Sequence, residues 1–370
     1  MMRQMFRTTL MIGMVLTMAL GIAVQFATAD TFKSLVAGAK NEKNLKVTLH
    51  FITQEHVKQL EQAFNARYGL NITLDANLSG KYSSKVKNVI KQLREGAAPT
   101  YDVMVLNESS YSMMANGGAL EKIDDWQSLL PEGADASVSP GPIAGVGFIC
   151  WDFYFGYSYR SDKVDAKMIP LSIKDLADTS LQGNAVVSMF MSNITYTVLK
   201  YSPEELLSIG GTWSQNNVEK FHPRKMPVAV SNGTFSVGAF HTTDQYLSAG
   251  SKDSHFKMGL FKDIVPRGIL LHAVPKGAQS PNAAKLFAVW MTGKEAVDIC
   301  GQGTYLGSRL KSGNQEAIAI AEQLMMKEKV KPVGFFDSEE NYKKLVWLGS
   351  PEGQKFAKRL GAGLKKSSKE

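Results

Sequence analysis

Apolar and polar positions alternate along the chain in two different periods. Residues 45–51 carry an apolar side chain at every second position, which is typical of a strand. Val57, Leu60 and Phe64 then recur at helical spacing. The same strand-then-helix succession repeats over residues 70–93. Repeated strand–helix units predict an α/β fold with a mainly parallel sheet and helices on its faces.

The second half of the chain continues the pattern without an internal repeat at a fixed period. Ser280 and Pro281 mark the start of one helix, and Thr292 with Glu295 predicts a capping box that starts the next. Strands are predicted at 185–190, 227–230, 236–241 and 268–274.

The first 29 residues have the three zones of a secretory signal peptide. Arg3 and Arg7 precede an apolar run over 10–24, and the small-residue triplet 27–29 stands before Asp30. An uncleaved membrane anchor is the alternative, but the small-residue site favours removal. We therefore expect residues 1–29 to be cleaved and the mature chain to lie outside the cytoplasm.

Charge and length narrow the class of protein. The formal net charge is +8, and removal of residues 1–29 deletes two arginines and no acidic residue, which leaves 8 − 2 = +6. Aromatic residues do not interleave with the lysines as a stacking platform for nucleic acid requires, so we expect no nucleic-acid partner. The chain that remains after removal of residues 1–29 is longer than one hydrophobic core usually accommodates, which predicts two domains.

A secreted hydrolase would carry a recognisable catalytic motif. The sequence has no G-x-S-x-G, no H-E-x-x-H and no cysteine pair at metal-ligand spacing. We therefore expect a protein that is not an enzyme and that needs no cofactor and no metal.

Four phrases spread along the chain carry a family resemblance. They are GAAPTYDVMVL at 96–106, YSYRSDKV at 157–164, IKDLADTSLQG at 173–183 and VPKGAQSPNAAKLFAVWM at 274–291. Their order and spacing resemble the extracellular solute-binding proteins of bacterial ABC importers, which have the type II periplasmic binding fold. The nearest subgroup is that of ferric-iron, polyamine and organic-solute receptors. The resemblance implies a periplasmic monomer that binds a small molecule and delivers it to a membrane permease.

The resemblance also implies two lobes joined by two hinge crossovers. The hinge strands would lie at Tyr154–Tyr159 and Ile264–Gly268, where a few residues absorb the change of φ and ψ. The implied division is a signal peptide at 1–29, lobe one at 30–157, lobe two at 158–267, and a return to lobe one with C-terminal helices at 268–370.

Loops at the C-terminal ends of strands are the expected ligand site of such a fold, because unpaired N–H groups of the following helices converge there. Ordinary helix capping is the alternative role for many of these side chains. Tyr157 is either a cleft residue or a packed strand residue. The expected ligand-binding residues are Thr53, Gln54, Ser79, Gly80, Asn107, Tyr157, Asn193, Thr195, Tyr196, Asn232, His241, Thr242, Asp244 and Arg267.

The polar loops favour a small neutral or anionic organic solute. Arg267 could pair with an anionic group, or else bond Asp263 at the surface. Iron receptors that this subgroup resembles present adjacent tyrosines, which the stretch 240–246 lacks. Polyamine receptors use several cleft carboxylates, and few are available here. A chemosensory ligand-binding partner and a secreted hydrolase remain the alternatives of another class.

The family topology places both cysteines, Cys150 and Cys300, in lobe one. Because exported proteins meet an oxidising compartment, a disulfide between them is predicted. Two buried free thiols are the alternative.

Overall fold

The computed structural model describes residues 32–181, 183–250 and 252–368, so the predicted signal peptide lies outside the described residues. The strands are β1 (Asn44–Thr48), β2 (Thr73–Asn77), β3 (Met104–Asn107), β4 (Phe148–Arg160), β5 (Ala185–Ser188), β6 (Glu219–Phe221), β7 (Val237–Thr242), β8 (Phe256–Gly259), β9 (Val265–Ala273), β10 (Gly307–Ser308), β11 (Ser312–Gly313) and β12 (Pro332–Val333).

The α-helices are α1 (32–39), α2 (Gln54–Tyr68), α3 (Tyr82–Arg94), α4 (Glu108–Asn116), α5 (Met191–Ile194), α6 (Pro203–Gln215), α7 (Met226–Ser231), α8 (Thr243–Ser248), α9 (Pro281–Trp290), α10 (Lys294–Gly301), α11 (Glu316–Glu328), α12 (Glu339–Gly349) and α13 (Pro351–Ala362). The 3-10 turns are Trp126–Leu129, Ala136–Val138, Gly141–Ile143, Ala166–Met168, Ile173–Ala177, Thr179–Leu181 and Thr195–Leu199. The predicted α/β class is confirmed.

The parallel strands form two separate groups, one of which is a two-stranded sheet of its own. In this group β1 pairs in parallel with β2 and bridges to Val103 beside β3. In the other group β5 pairs in parallel with both β6 and β7. We call β1–β3 with α2–α4 the β1 side, and β5–β8 with α5–α8 the β5 side.

The long strands β4 and β9 connect the two sides. Strand β4 runs antiparallel to β9 from Phe148 to Tyr154, and from Phe155 onward it pairs with β7 instead. A bulge follows at Gly156, where a Cβ atom would collide with the Gly259 carbonyl oxygen. These two strands are the two crossovers of the fold.

Helix α2 shows how the local sequence starts an element of the β1 side. Thr53 is its N-cap, and the His56 Nδ1 atom accepts a hydrogen bond from the Thr53 backbone N–H at 3.0 Å. Phe64 of this helix packs edge-on against Phe287 of α9 at 5.2 Å between ring centroids, and against Trp290 at 5.4 Å. The three buried rings form the centre of the core under the β1 side.

The C-terminal helices contact both sides of the molecule. Helix α12 packs on α4 of the β1 side, whereas α13 packs on α6 and α5 of the β5 side. The tail then continues along β6, where the Lys220 backbone N–H donates to the Lys365 carbonyl at 2.7 Å. The lobe boundaries at 157 and 267 remain predictions.

Several local expectations from the sequence are corrected. Residues 227–230 were expected to form a strand but belong to helix α7, with Pro227 in its first turn, where a missing N–H costs nothing. The capping box at Thr292 is also wrong, because Gly293 is the N-cap of α10. Glu295 instead accepts a hydrogen bond from the Trp290 indole N–H at 3.2 Å.

The predicted disulfide is absent. Cys150 and Cys300 are both buried free thiols. The Cys150 thiol donates a hydrogen bond to the Leu270 carbonyl oxygen at 3.3 Å, which holds its sulfur toward strand β9. Burial raises the pKa of both thiols above their ordinary value.

Candidate functional site

A cavity of about 300 Å³ lies between the β1 side and the β5 side. Both crossover strands and the C-terminal helices also contribute to its walls, so four parts of the chain meet around one space. Its lining residues are Phe51, Tyr82, Asn107, Glu108, Ser109, Ser112, Phe153, Phe155, Ser192, Asn193, Thr195, Tyr196, Thr242, Asp244, Gln245, Gly268, Ile269, Leu270, Phe335, Leu345, Leu348, Gly349, Gln354 and Ala357.

Aromatic rings form much of this lining. Tyr196 lies between Phe155 and Phe335, with ring centroids 5.0 Å from each. Phe51 approaches Phe153 edge-on at 6.3 Å. A cavity with these walls suits a ligand that has an apolar portion as well as polar groups.

Glu108 is the most enclosed acidic group of the cavity. It begins helix α4, directly after the N-cap Asn107, and it is 3% exposed. Its Oε1 atom accepts the Ile269 backbone N–H at 2.8 Å, and the Tyr196 hydroxyl also hydrogen-bonds to it. Burial raises the pKa of this carboxyl to about 7.

Gly268 lets these groups approach each other. A Cβ atom at this position of β9 would lie 2.9 Å from the Tyr196 hydroxyl oxygen. A larger residue would therefore displace the ring that bonds Glu108.

The turn from β7 into α8 forms the wall on the β5 side. The Thr242 backbone N–H donates to Gln245 Oε1 at 3.1 Å, so this part of the turn is fixed. The Thr242 side chain also takes part in a capping box with Gln245, and the Asp244 carboxyl lies within hydrogen-bonding reach of the Thr242 hydroxyl. Burial raises the pKa of Asp244, and hydrogen bonds with the Thr242 hydroxyl and with backbone N–H groups, together with the positive charge of Arg224, oppose that rise.

Phe51 stands at the mouth of the cavity with a strained backbone. Its φ is 64°, a region that non-glycine residues avoid, and its side chain is 41% exposed. The Arg224 guanidinium of the β5 side lies over its ring at 5.0 Å. This cation–π contact joins the two sides at the entrance.

The C-terminal helices provide a wall that the sequence did not indicate. Leu345, Leu348 and Gly349 of α12 line the cavity together with Gln354 and Ala357 of α13. Their amphipathic pattern predicts helices, but a periodic pattern does not specify which surface a helix covers.

The structure brings six of the predicted ligand-binding residues to the cavity. All belong to polar turns that follow strands or begin helices. They are Asn107, Asn193, Thr195, Tyr196, Thr242 and Asp244.

Other predicted residues do not line the cavity. Thr53 and Gln54 cap and begin α2, and Ser79 and Gly80 are exposed in the turn before α3. Asn232 closes a turn by accepting the Thr234 backbone N–H at 3.1 Å.

His241 and Tyr157 are buried in the interior of the sheet region. The His241 Nδ1 atom lies 3.2 Å from the Thr242 carbonyl oxygen, and burial lowers the pKa of the ring to about 4. The Tyr157 ring packs at a tilt against Phe261, with 5.0 Å between ring centroids, and covers Gly259. Strand packing is thus the role that the structure gives to Tyr157.

Arg267 is engaged by two carboxylates and does not line the cavity. Its Nε atom lies 3.8 Å from Asp152 Oδ1, and its Nη2 atom forms an ion pair with Asp337. The surface partner considered from the sequence, Asp263, instead accepts a hydrogen bond from the Tyr201 hydroxyl.

Within residues 32–181, 183–250 and 252–368, no group of three His, Cys, Asp or Glu side chains lies close enough together to bind a metal ion. Tyr246 stacks on Phe256 at 4.7 Å and does not line the cavity, so it is not presented beside Tyr196. In the same described ranges, no helix combines the length and the apolar character needed to span a bilayer.

Solved structures with this architecture are numerous. The substrate-binding protein of an ABC transporter from Agrobacterium tumefaciens aligns over 89% of this chain and 96% of its own, with a TM-score of 0.63 and 13% identity. Iron-bound HitA from Pseudomonas aeruginosa aligns over 86% and 99%, with a TM-score of 0.62 and 16% identity.

A third similar structure is the periplasmic binding protein AfuA from Actinobacillus pleuropneumoniae, with fructose-6-phosphate bound. It aligns over 83% of this chain and 98% of its own, with a TM-score of 0.56 and 14% identity. No family model matches the sequence, and no curated protein matches it. The chain therefore has the two-lobed type II periplasmic binding fold, and the predicted fold is confirmed.

Proposed function

We propose that the chain is a periplasmic receptor of an ABC importer that captures a small organic solute. The observation that carries this proposal is the cavity of about 300 Å³, whose lining is drawn from both sides of a two-lobed fold. That size lies at the lower end of small-molecule sites. The structural neighbours are binding proteins rather than enzymes.

Hinge closure is the proposed mechanism of capture. Strand β4 passes from β9 to β7 at Phe155, and the pairing of β9 with β4 ends at Arg267, so rotation there would part the Glu108 wall from the Asp244 wall. A solute that contacts both walls favours the closed state by its differential affinity. A membrane permease would receive the solute from the closed monomer.

The residue types that line the cavity indicate the charge of the solute. Among the lining residues that the structure describes there is no Lys, Arg or His, so a bound anion has no cationic side chain to pair with. The predicted pairing of Arg267 with an anionic group is not favoured, because Arg267 does not line the cavity and its guanidinium forms an ion pair with Asp337. The cavity best supports a neutral or cationic organic solute.

Two measurements on the purified mature chain test the receptor function. Native mass spectrometry should detect a co-purified small molecule, and small-angle scattering after its removal and return should show a smaller radius of gyration with the solute. A chain that carries no solute, and whose radius stays the same with every solute offered, would not be a hinge-closing receptor.

A further inference from the structure

We propose that the solute is an uncharged, hydroxylated molecule whose hydroxyl groups bond the side-chain amides of Asn107 and Asn193, with its C–H surface against the aromatic rings of the cavity. This inference rests on the proposed function and specifies the ligand class of the same site.

The first argument concerns Glu108, which does not call for a cationic solute. Its carboxyl accepts the Ile269 backbone N–H at 2.8 Å and is hydrogen-bonded with the Tyr196 hydroxyl. The positive charge of Arg267 also acts on this carboxyl. Glu108 therefore has its partners within the protein.

Asp244 is the second acidic residue of the described lining, and it too is partnered. Its carboxyl is hydrogen-bonded with the Thr242 hydroxyl and with the backbone N–H groups of Asp244 and Gln245, and the positive charge of Arg224 acts on it. An ammonium group that left water for this cavity would compete for carboxylates that are already bonded, and an anionic group would find no cationic side chain among the described lining residues. The lining therefore favours a solute without a charged group.

The second argument is the polarity of two side-chain amides that line the cavity from opposite sides. On the β1 side, the Oδ1 atom of Asn107 accepts the Ser110 backbone N–H at 2.9 Å, as the N-cap of α4. Because a backbone N–H can only donate, this bond fixes the orientation of the amide. The Nδ2 group is left for a ligand, and it is a donor.

Asn193, on the β5 side, has the reverse arrangement. Its Nδ2 group donates to the Phe240 carbonyl oxygen at 3.2 Å and to Ser188 Oγ at 3.1 Å, so its side-chain oxygen is left for a ligand, as an acceptor. A hydroxyl group both donates and accepts, whereas an ammonium group only donates and a carboxylate only accepts. Hydroxyl groups therefore suit both amides.

The third argument is the uncharged remainder of the lining. Tyr82 is a lining residue whose hydroxyl is buried without a hydrogen-bond partner among the described residues. Burial raises the pKa of this hydroxyl above its ordinary value, so it stays neutral and can bond a solute oxygen. Phe51, Phe155 and Phe335 supply apolar ring surface for the C–H groups of the solute.

The test compares probes that share a hydroxylated ring and differ in charge. D-Glucose, D-xylose and myo-inositol are uncharged, D-glucosamine carries an ammonium group, and D-glucuronate carries a carboxylate. Calorimetry with the solute-free mature chain should show that at least one uncharged probe binds at millimolar concentration. Each charged probe should bind at least about tenfold more weakly than that probe, a factor that corresponds to about 1.4 kcal/mol.

Asn107→Asp is the decisive variant, because it keeps the oxygen that caps α4 and replaces the donor Nδ2 group by a charged acceptor. It should weaken binding of the best uncharged probe by at least about tenfold, while its melting temperature without solute stays close to that of the natural chain. Asn107→Ser, which also caps a helix but carries no charge, should weaken binding too and guards against a folding defect of the first variant. Asn71→Asp is the matched control, since Asn71 is exposed and does not line the cavity, and it should bind every probe as the natural chain does.

Three results would overturn the inference. A charged probe that binds as tightly as the best uncharged one, or a co-purified solute that carries a charged group, would exclude the uncharged class but leave the receptor function intact. Unchanged affinity in both Asn107→Asp and Asn107→Ser would exclude the assigned amide. Failure of all three uncharged probes to bind at millimolar concentration would exclude the ligand class, and it would count against the receptor function too only if no solute co-purifies.

Discussion

Glu108 makes the stability of the folded chain depend on pH. Burial raises the pKa of its carboxyl from 4.5 to about 7, so the folded state holds this proton over a range in which the unfolded chain has lost it. The free energy of unfolding should therefore fall between pH 4.5 and pH 7, by about 3 kcal/mol in total from this group. Urea unfolding at several pH values measures the slope.

Glu108→Gln separates this effect from other titrating groups. The variant cannot ionise, so the difference in unfolding free energy between it and the natural chain should change by the same amount over the same pH range. Because Asp152 and Asp244 also have raised pKa values, only the difference isolates Glu108. A constant difference from pH 4.5 to pH 8 would show that the pKa of Glu108 is the same in the folded and unfolded states.

Arg267 should matter for folding more than for ligand binding. Its removal in Arg267→Ala leaves the buried Asp152 carboxylate with less compensating charge, which should lower the free energy of unfolding by roughly 2 to 4 kcal/mol. Denaturant titration measures this loss. The double variant with Asp152→Asn should recover much of the loss, whereas equal losses in the single and double variants would contradict the ion-pair explanation.

The sequence predicted the polar turns better than it predicted side-chain directions. Asn107, Thr242 and Asp244 follow strand ends, and that position alone brings them to the cavity. Tyr157 and His241 lie on strands near the same region but point into the packed interior. Their directions depend on the bulge at Gly156 and on burial by neighbours, which the chain pattern does not contain.

Helix α13 is held to the β5 side by buried apolar contacts. Leu360 is 3% exposed and reaches Gly210 of α6, which has no side chain to obstruct it. Leu360→Ala should lower the free energy of unfolding by about 2 to 4 kcal/mol through a cavity at this contact. Lys358→Ala, an exposed change on the same helix, should remain within about 0.5 kcal/mol. Equal effects of the two variants would mean that α13 is not docked.

Elements whose apolar residues recur with one clear period could be predicted from the sequence. Short apolar runs that fit both a helix and a strand could not. Helix α2 and strand β1 have unmixed patterns of period 3.6 and period 2. The helix occurs where expected, whereas the strand ends at Thr48, before the end of the alternating run at residues 45–51. The short apolar run at 227–230 fits either structure, and Pro227 favours a helix start. The docking of α12 and α13 on different sides depends on long-range contacts that no local pattern encodes.

At the scale of the whole molecule, the contact between Phe51 and Arg224 should slow solute release. The pair joins the two sides at the mouth, and an exposed cation–π contact is worth about 0.5–1 kcal/mol, or about two- to fivefold in a rate. Phe51→Ala and Arg224→Gln should each speed release of the co-purified solute by that factor in stopped-flow fluorescence. The double variant should release no faster than either single variant, and simple multiplication of the two effects would contradict a shared contact.

Helices α12 and α13 form a third connection between the two sides, in addition to strands β4 and β9. Two connecting strands allow the two sides to rotate relative to each other. A third connection restrains this rotation unless it contains a hinge of its own. Ser350 ends one helix and caps the next, and is therefore the place where such a joint can turn. Its neighbour Gly349 lines the cavity and lies close to Ser112 of α4. A solute bound in the cavity would therefore contact the residue next to this junction.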